Sequence, residues 1–332
     1  MGHSRRNVDA IRRILVALAQ PVAASEPALA KAAQLAQRCG AELELFHCLY
    51  DPYVFRRQTF HTRGFDRNIE LLVRQTRERL EKRAQPLRSE GLRVRTSVHW
   101  DYPPYEGIIR QAMRHEVDLV MVSSRRRRRA ARLFLEFTDW QLIRLSPVPL
   151  LLIKTPQPWK GPTVLAAVDP FHAHAAPAAL DDAILQTGRF LSRTLRGRLH
   201  VVHAHVAALS VIAAPMPEPM VVPAPAAEVR KEARRVRKAV LALAARHGVA
   251  ARQAHVVTGD PVTLLPRIAR RSRARIVVMG AVSRSGLKRL FIGDTAQRVL
   301  DDLDCDICVV KAPDFRTPVP ARSAPRAVVL PG

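Results

Sequence analysis

Cysteine is scarce. The chain has only Cys39, Cys48, Cys305 and Cys308, too few for a disulfide framework, which makes a reducing cytoplasm the expected compartment. Cys305 and Cys308 have the spacing of a redox or metal motif, but no second ligand pair accompanies them. The Val309-Val310-Lys311 that follows reads as a strand, on which residues three apart point to opposite faces, so two small buried thiols are expected. Aromatics are only 5% of the chain, and no helix-turn-helix, RNA-recognition or zinc-finger pattern occurs. No apolar run reaches the roughly 18–20 residues that cross a bilayer, and no apolar stretch backs the polar, basic start at Met1 to Arg13. Neither a membrane span nor a secretory signal is expected. Acidic residues also run short: 54 Lys+Arg against 29 Asp+Glu give a net charge of +25. Such a surface attracts anions, nucleic acid and phosphorylated ligands among them. The bland alternative is arginine spread over solvated helix faces, with Arg125 to Arg129 the one dense run.

What is present is a repeat. The 332 residues suit two domains, and an apolar share of 48% suits globular cores. Leu119-Val-Met-Val-Ser123 and Ile276-Val-Val-Met-Gly280 are short β-branched runs of the buried parallel kind. Leu119 to Lys154 spans 35 positions, as does Ile276 to Lys311, and Thr138 falls on Thr295. Each copy opens with a strand ending at a proline, Pro21 or Pro170. Helices follow at about 27–40 and 177–196, second strands at Glu42 to Tyr50 and Leu199 to Val206, and long basic helices at about 66–90 and 226–247. Third strands, Leu92 to Val98 and Val249 to Val257, lead through proline-marked loops to the fourth. The order is βαβαβαβαβ, twice. Alternation predicts an α/β fold with parallel sheets covered on both faces, and right-handed crossovers make them doubly wound. The boundaries read 10–155 for the first domain, 156–162 for a proline-rich linker, 163–312 for the second domain and 313–332 for a disordered Pro/Arg-rich tail. Loops at about 51–65 and 207–226 read as mobile.

In such sheets ligands sit beyond the carboxyl ends of the strands. There the second copy reads Met279-Gly280-Ala-Val-Ser283, then Gly286, Lys288, Arg289 and Gly293-Asp294-Thr295. Glycines let backbone N–H groups approach a phosphate, and a helix opening at 293–295 points its positive end at an anion. Gly280, Ser283 and Gly293 have the spacing Gly-x2-Gly-x9-Gly found at this place in ATP-binding members of the universal stress protein family, which the chain resembles over about residues 10–318. Phe137-Thr-Asp-Trp140, Gln157-Pro158-Trp159 and Gly293-Asp-Thr-Ala296 ahead of Cys305-Asp306 are similar to its two-domain E-type branch. The resemblance implies two flavodoxin-like, adenine-nucleotide alpha hydrolase-like domains, each with five parallel strands in order 3-2-1-4-5, associating through their fifth strands; whether the chain also forms a homodimer stays open at this point. It implies contacts to a nucleoside from Asp169, Ala204 and Met279. The chain departs from the pattern at Ser283, where the family has glycine, and at Asp294, where it has a hydroxyl. Asp294 reads as a helix cap or as a ligand contact. Asp169 reads as a contact or as a turn residue.

The first copy has Ser123, Arg126 and Glu136 where the second has Gly280, Ser283 and Gly293, and Gln20 where the second has Asp169. No glycine remains to cradle a phosphate, so a structural or docking role is expected there. His172, His174, His203 and His205 lie near the carboxyl edge of the second sheet. No carboxylate or cysteine completes a metal set, so polar rim residues sensitive to pH near 6–7 are expected and no metal. No Gly-x-Ser-x-Gly, Walker A or His-Glu-x-x-His motif occurs. The reading is a non-catalytic stress-response protein that binds ATP, another adenine nucleotide or a different anionic metabolite at Asp169, Ala204, Met279, Gly280, Ser283, Gly293, Asp294 and Thr295, and signals through partners. Two rivals stay open: a nucleotide-hydrolysing enzyme, and a basic protein associated with nucleic acid.

Overall fold

The computed structural model describes residues 10–21, 26–50, 63–124, 132–171, 178–205, 209–212, 220–223, 225–281 and 299–322. By internal contacts the chain divides into two units, Met1–Lys160 with Asp306–Gly332, and Gly161–Cys305.

The first unit runs β1 (Arg13–Ala17), α1 (Pro27–Cys39), β2 (Glu42–Leu49), α2 (Arg63–Ser89), β3 (Val94–Trp100), α3 (Pro104–Arg114), β4 (Leu119–Ser123), α4 (Arg132–Leu145) and β5 (Leu150–Ile153). Its parallel strands are ordered β3-β2-β1-β4-β5. Ile14, Leu15 and Val16 of β1 and Leu119, Val120 and Met121 of β4 are buried, as a sheet covered on both faces requires. Proline opens α1, where its missing N–H costs nothing. Gly40 closes it at φ 70°, in the left-handed region, donating its N–H to the Ala36 carbonyl at 2.8 Å.

The second unit runs β6 (Thr163–Ala167), α5 (Ala178–Thr194), β7 (Arg198–His205), β8 (Leu209–Ile212), β9 (Met220–Pro223), α6 (Ala226–Arg246), β10 (Ala254–Thr258), α7 (Pro261–Arg271) and β11 (Ala274–Gly280). Its parallel strands are ordered β10-β7-β6-β11. The third strand starts later than its apolar pattern suggests, because Ala251–Gln253 first forms a 3-10 turn. The 207–226 segment is not loop throughout: β8 and β9 pair antiparallel within it, with Val211 opposite Val221.

The fifth strands of the two repeats meet, as the family resemblance implies. The fifth strand of the second repeat, β12 (Asp306–Val310), groups with the first unit, where it pairs antiparallel with β5 through Ile307–Leu152, Cys308–Leu151 and Val309–Leu150. The reason is ionic as well as apolar. The Asp306 carboxylate is fully buried on Lys31 of α1, and it accepts hydrogen bonds from the Trp159 indole at 2.8 Å and the Lys154 and Thr155 amides at 2.9 and 3.0 Å. Past β12 the chain is described to Arg322, with Val319 buried and the Phe315 ring 4.8 Å from the Lys311 ammonium. Residues 323–332 lie outside the described residues.

Cys305 and Cys308 are buried free thiols, and burial pushes Cys308 up to about 12, so it stays protonated at neutral pH. Burial pushes Lys311 the other way, down to about 7. A lysine whose folded value lies below its unfolded value gains a proton on unfolding, so stability should rise with pH from about 7 toward about 10, by up to roughly 1.4 kcal/mol per pH unit. Below that window the buried charge is a standing cost. Lys311→Met should therefore be more stable than the parent at about pH 6, and its denaturant midpoint should rise less between about pH 6 and pH 9. Equal pH slopes for the two proteins would contradict this assignment.

Candidate functional site

Strand register assembles the site. Ala167 of β6 is paired with Met279 of β11 on one side and with Val202 of β7 on the other. The carboxyl ends of three adjacent strands thus bring Asp169, Ala204, Met279 and Gly280 to one edge of the second sheet. All four are partly exposed. The Asp169 amide donates to Asp181 Oδ1 at 3.0 Å, and Asp181 sits in the first turn of α5, where a carboxylate suits the helix's positive end. Ser283, Gly293, Asp294 and Thr295 lie outside the described residues, as do His172, His174, Arg126 and the Arg125–Arg129 run.

Gly280 has a packing reason that its sequence setting did not reveal. A Cβ there would stand 2.7 Å from Leu180 Cδ2 and 3.2 Å from Ile184 Cδ1, so any other residue at 280 would have to push these side chains of α5 aside. Close helix–strand contact is itself one of the uses of glycine in nucleotide-binding turns.

Two histidines of β7 add chemistry beside Ala204. His203 is 5% exposed, and its Nδ1–H donates to the Val168 carbonyl at 2.9 Å. Its Nε2 is buried with no hydrogen-bond partner among the described residues, and the same holds for His205 Nδ1. Buried polar atoms are rarely left this way without a reason. The two rings stack at 5.7 Å and 5°. The Phe171 ring lies 6.1 Å from that of His203, and the Arg235 guanidinium lies 5.3 Å from the Phe171 ring. Burial, then the neighbouring His203, lowers His205 below the ordinary histidine value. Among the described residues no group of three His, Cys, Asp or Glu side chains could hold a metal ion.

The first unit fills the same place. His47 repeats the role of His203, its Nδ1 bonding the Leu18 carbonyl at 2.7 Å. Ser123, in the position of Gly280, accepts the Ala28 amide of α1 at 3.1 Å and donates to buried Glu26. The strand end and the helix start are thus tied to each other by side chains, where the second unit has Gly280 against α5. Gln20 stands exposed in the position of Asp169.

The two repeats share one parallel α/β fold, and comparison with known proteins identifies its family. The model of the universal stress protein family matches residues 10–154 and again 162–311, so the chain belongs to that family. It is 29% identical to universal stress protein E of Escherichia coli K12 over 303 residues, covering 89% of this chain and 92% of that one. It is 30% identical to universal stress protein E of Salmonella typhi over 307 residues, with the same coverage. Among solved structures, a functionally unknown protein, PA1789 of Pseudomonas aeruginosa PAO1, superimposes with a TM-score of 0.69 at 27% identity, covering 92% of this chain and 95% of that one. Among the described residues no helix is long and apolar enough to cross a membrane.

Proposed function

We propose that the second unit binds a small, anionic, nucleotide-like ligand at the carboxyl ends of β6, β7 and β11, and that the chain passes the bound state to partners in the cytoplasm without turnover. The observation that carries this reading is the buried His203 Nε2, which has no partner among the described residues and lies one residue from Ala204 at the converging strand ends. A ring whose Nδ1–H is spent on Val168 can accept at Nε2 from an N–H or O–H of a ligand. The Asp169 carboxylate is a second acceptor at that edge. In this reading Gly280, Ser283, Gly293, Asp294 and Thr295 supply backbone N–H groups and a helix start to the anionic end. An adenine nucleotide has both halves, which makes ATP the first compound to try. The repeats 10–155 and 163–312 then differ in duty, the first closed by Ser123 and Glu26 and the second open to ligand.

Isothermal titration of the full chain with ATP tests this. One site per chain is expected. Gly293→Glu, which adds bulk and negative charge at the anionic end, should abolish binding. His203→Phe removes one acceptor and should weaken binding by about tenfold. No binding of ATP by the parent chain at about millimolar concentration, well above the affinity of a specific site, would end the nucleotide reading.

A further inference from the structure

We propose that the outward face of α6 is a docking surface for duplex nucleic acid, bound through its phosphates without regard to sequence. The inference does not depend on the ligand reading.

Helix α6 carries Arg230, Lys231, Arg234, Arg235, Arg237 and Lys238 within nine consecutive positions, and all six are exposed. Arg235 is engaged, with Glu232 at 3.6 Å and the Phe171 ring beside it. The other five have no carboxylate within 4.0 Å among the described residues. Helical geometry at 100° per residue puts Lys231, Arg234 and Lys238 on the arc opposite the buried stripe of Val236, Val240, Leu243 and Ala244, with Arg230 and Arg237 on one flank of it. From Arg230 to Lys238 the axis rises about 12 Å. A duplex offers one negative charge per roughly 1.7 Å of axis, so this length faces more phosphates than the five cations can neutralise. Three of the five are arginines, whose planar fork suits phosphate oxygens.

The same observations select among polyanions. An anionic membrane would need the helix to sink an apolar face into the lipid, and that face is already spent on the core of the unit: Val236, Val240 and Leu243 are at most 5% exposed. A single strand would need aromatic platforms for its bases, and Ala226–Arg246 contains no aromatic residue. A duplex, held by its backbone, needs neither.

The test is fluorescence anisotropy of the full chain with a labelled duplex of arbitrary sequence, across a salt series. Five phosphate contacts should give a log–log salt slope near −4.5, a loss of roughly 500-fold in affinity between about 50 and 200 mM salt. A variant with Arg230, Lys231, Arg234, Arg237 and Lys238 changed to Gln should lose most of the binding and most of the slope. The control removes five exposed cations elsewhere, Arg38, Arg74, Arg77, Arg79 and Lys82→Gln, and should keep both. If circular dichroism shows the α6 variant misfolded, Arg230→Gln, Arg234→Gln and Arg237→Gln made singly should each make the slope shallower by about 0.9, and three unchanged slopes would overturn the proposal. It is equally overturned by no duplex binding at low salt, by a control that loses as much as the α6 variant, or by an α6 variant that loses phosphatidylserine vesicles while its duplex binding is unchanged.

Discussion

Replacing Asp306 with alanine should cost about 3–5 kcal/mol of stability, because it strands a buried ammonium. Lys31 is 1% exposed and Asp306 fully buried. Besides Lys31, the carboxylate accepts from Trp159 Nε1 at 2.8 Å, from the Lys154 and Thr155 amides at 2.9 and 3.0 Å and from the Thr155 hydroxyl at 3.1 Å. Lys31 donates in addition to the Thr155 hydroxyl at 2.8 Å, and its ammonium lies 5.0 Å from the Trp159 ring. One side chain thus ties α1, the segment after β5 and the start of β12 together. A chain with two units need not unfold in one step, so the loss is best read locally. Hydrogen exchange at the amides of Leu150–Ile153 and Asp306–Val310 should accelerate together, and the first denaturant transition should move to lower midpoint. The pair Lys31→Met with Asp306→Leu should recover part of the loss, since no charge is then left behind; the amides and indole still lack their acceptor. An Asp306→Ala chain as stable as the parent would show that the clamp carries no energy.

Arg110 should matter nearly as much. It is 3% exposed and makes a two-pronged bond to Asp101, Nε to Oδ2 and Nη2 to Oδ1, both 2.7 Å, while Nη1 reaches Glu106 at 3.0 Å. Burial opposes its charge, but the hydrogen bonds and charges of the two carboxylates outweigh that and raise its value. Arg110→Ala leaves two largely buried carboxylates facing each other and should cost about 3–5 kcal/mol. Arg110→Lys keeps the charge but not the fork, and should still lose at least about 1 kcal/mol. A lysine variant with the parent's denaturant midpoint would mean that charge alone, not geometry, holds the end of β3 to α3.

The fold was legible because its signals are periodic and doubled. Short β-branched runs alternate with amphipathic helices, and the second copy repeats the first at matched intervals. What stayed hidden depends on contacts distant in sequence. The association of the fifth strands was implied by the family resemblance, but the ion pair of Asp306 with Lys31, 275 residues away in sequence, was not, because no local pattern connects the two. A lone Asp306 opening the otherwise apolar Ile307-Cys308-Val309-Val310 was the available hint, since a charge at the start of a buried strand needs a partner. The β8–β9 hairpin was masked by alanine and proline, which dilute the alternation of Leu209-Ser-Val-Ile212. At the site, the placing of Gly280 followed from its position after a buried strand, and that of Asp169, Ala204 and Met279 from the family resemblance. The unpartnered nitrogen of His203 did not: it depends on which ring nitrogen meets the Val168 carbonyl, and a sequence carries no tautomers.

The most direct test of the central claim is native mass spectrometry of the purified chain, followed by denaturation to release whatever it holds. The account expects one small anionic molecule per chain, an adenine nucleotide first among them, absent from Gly293→Glu and retained by a Ser123→Ala chain whose change lies in the closed first unit. A chain that emerges empty and stays empty after incubation with ATP would contradict it, and would leave the basic face of α6 as the working part of the molecule.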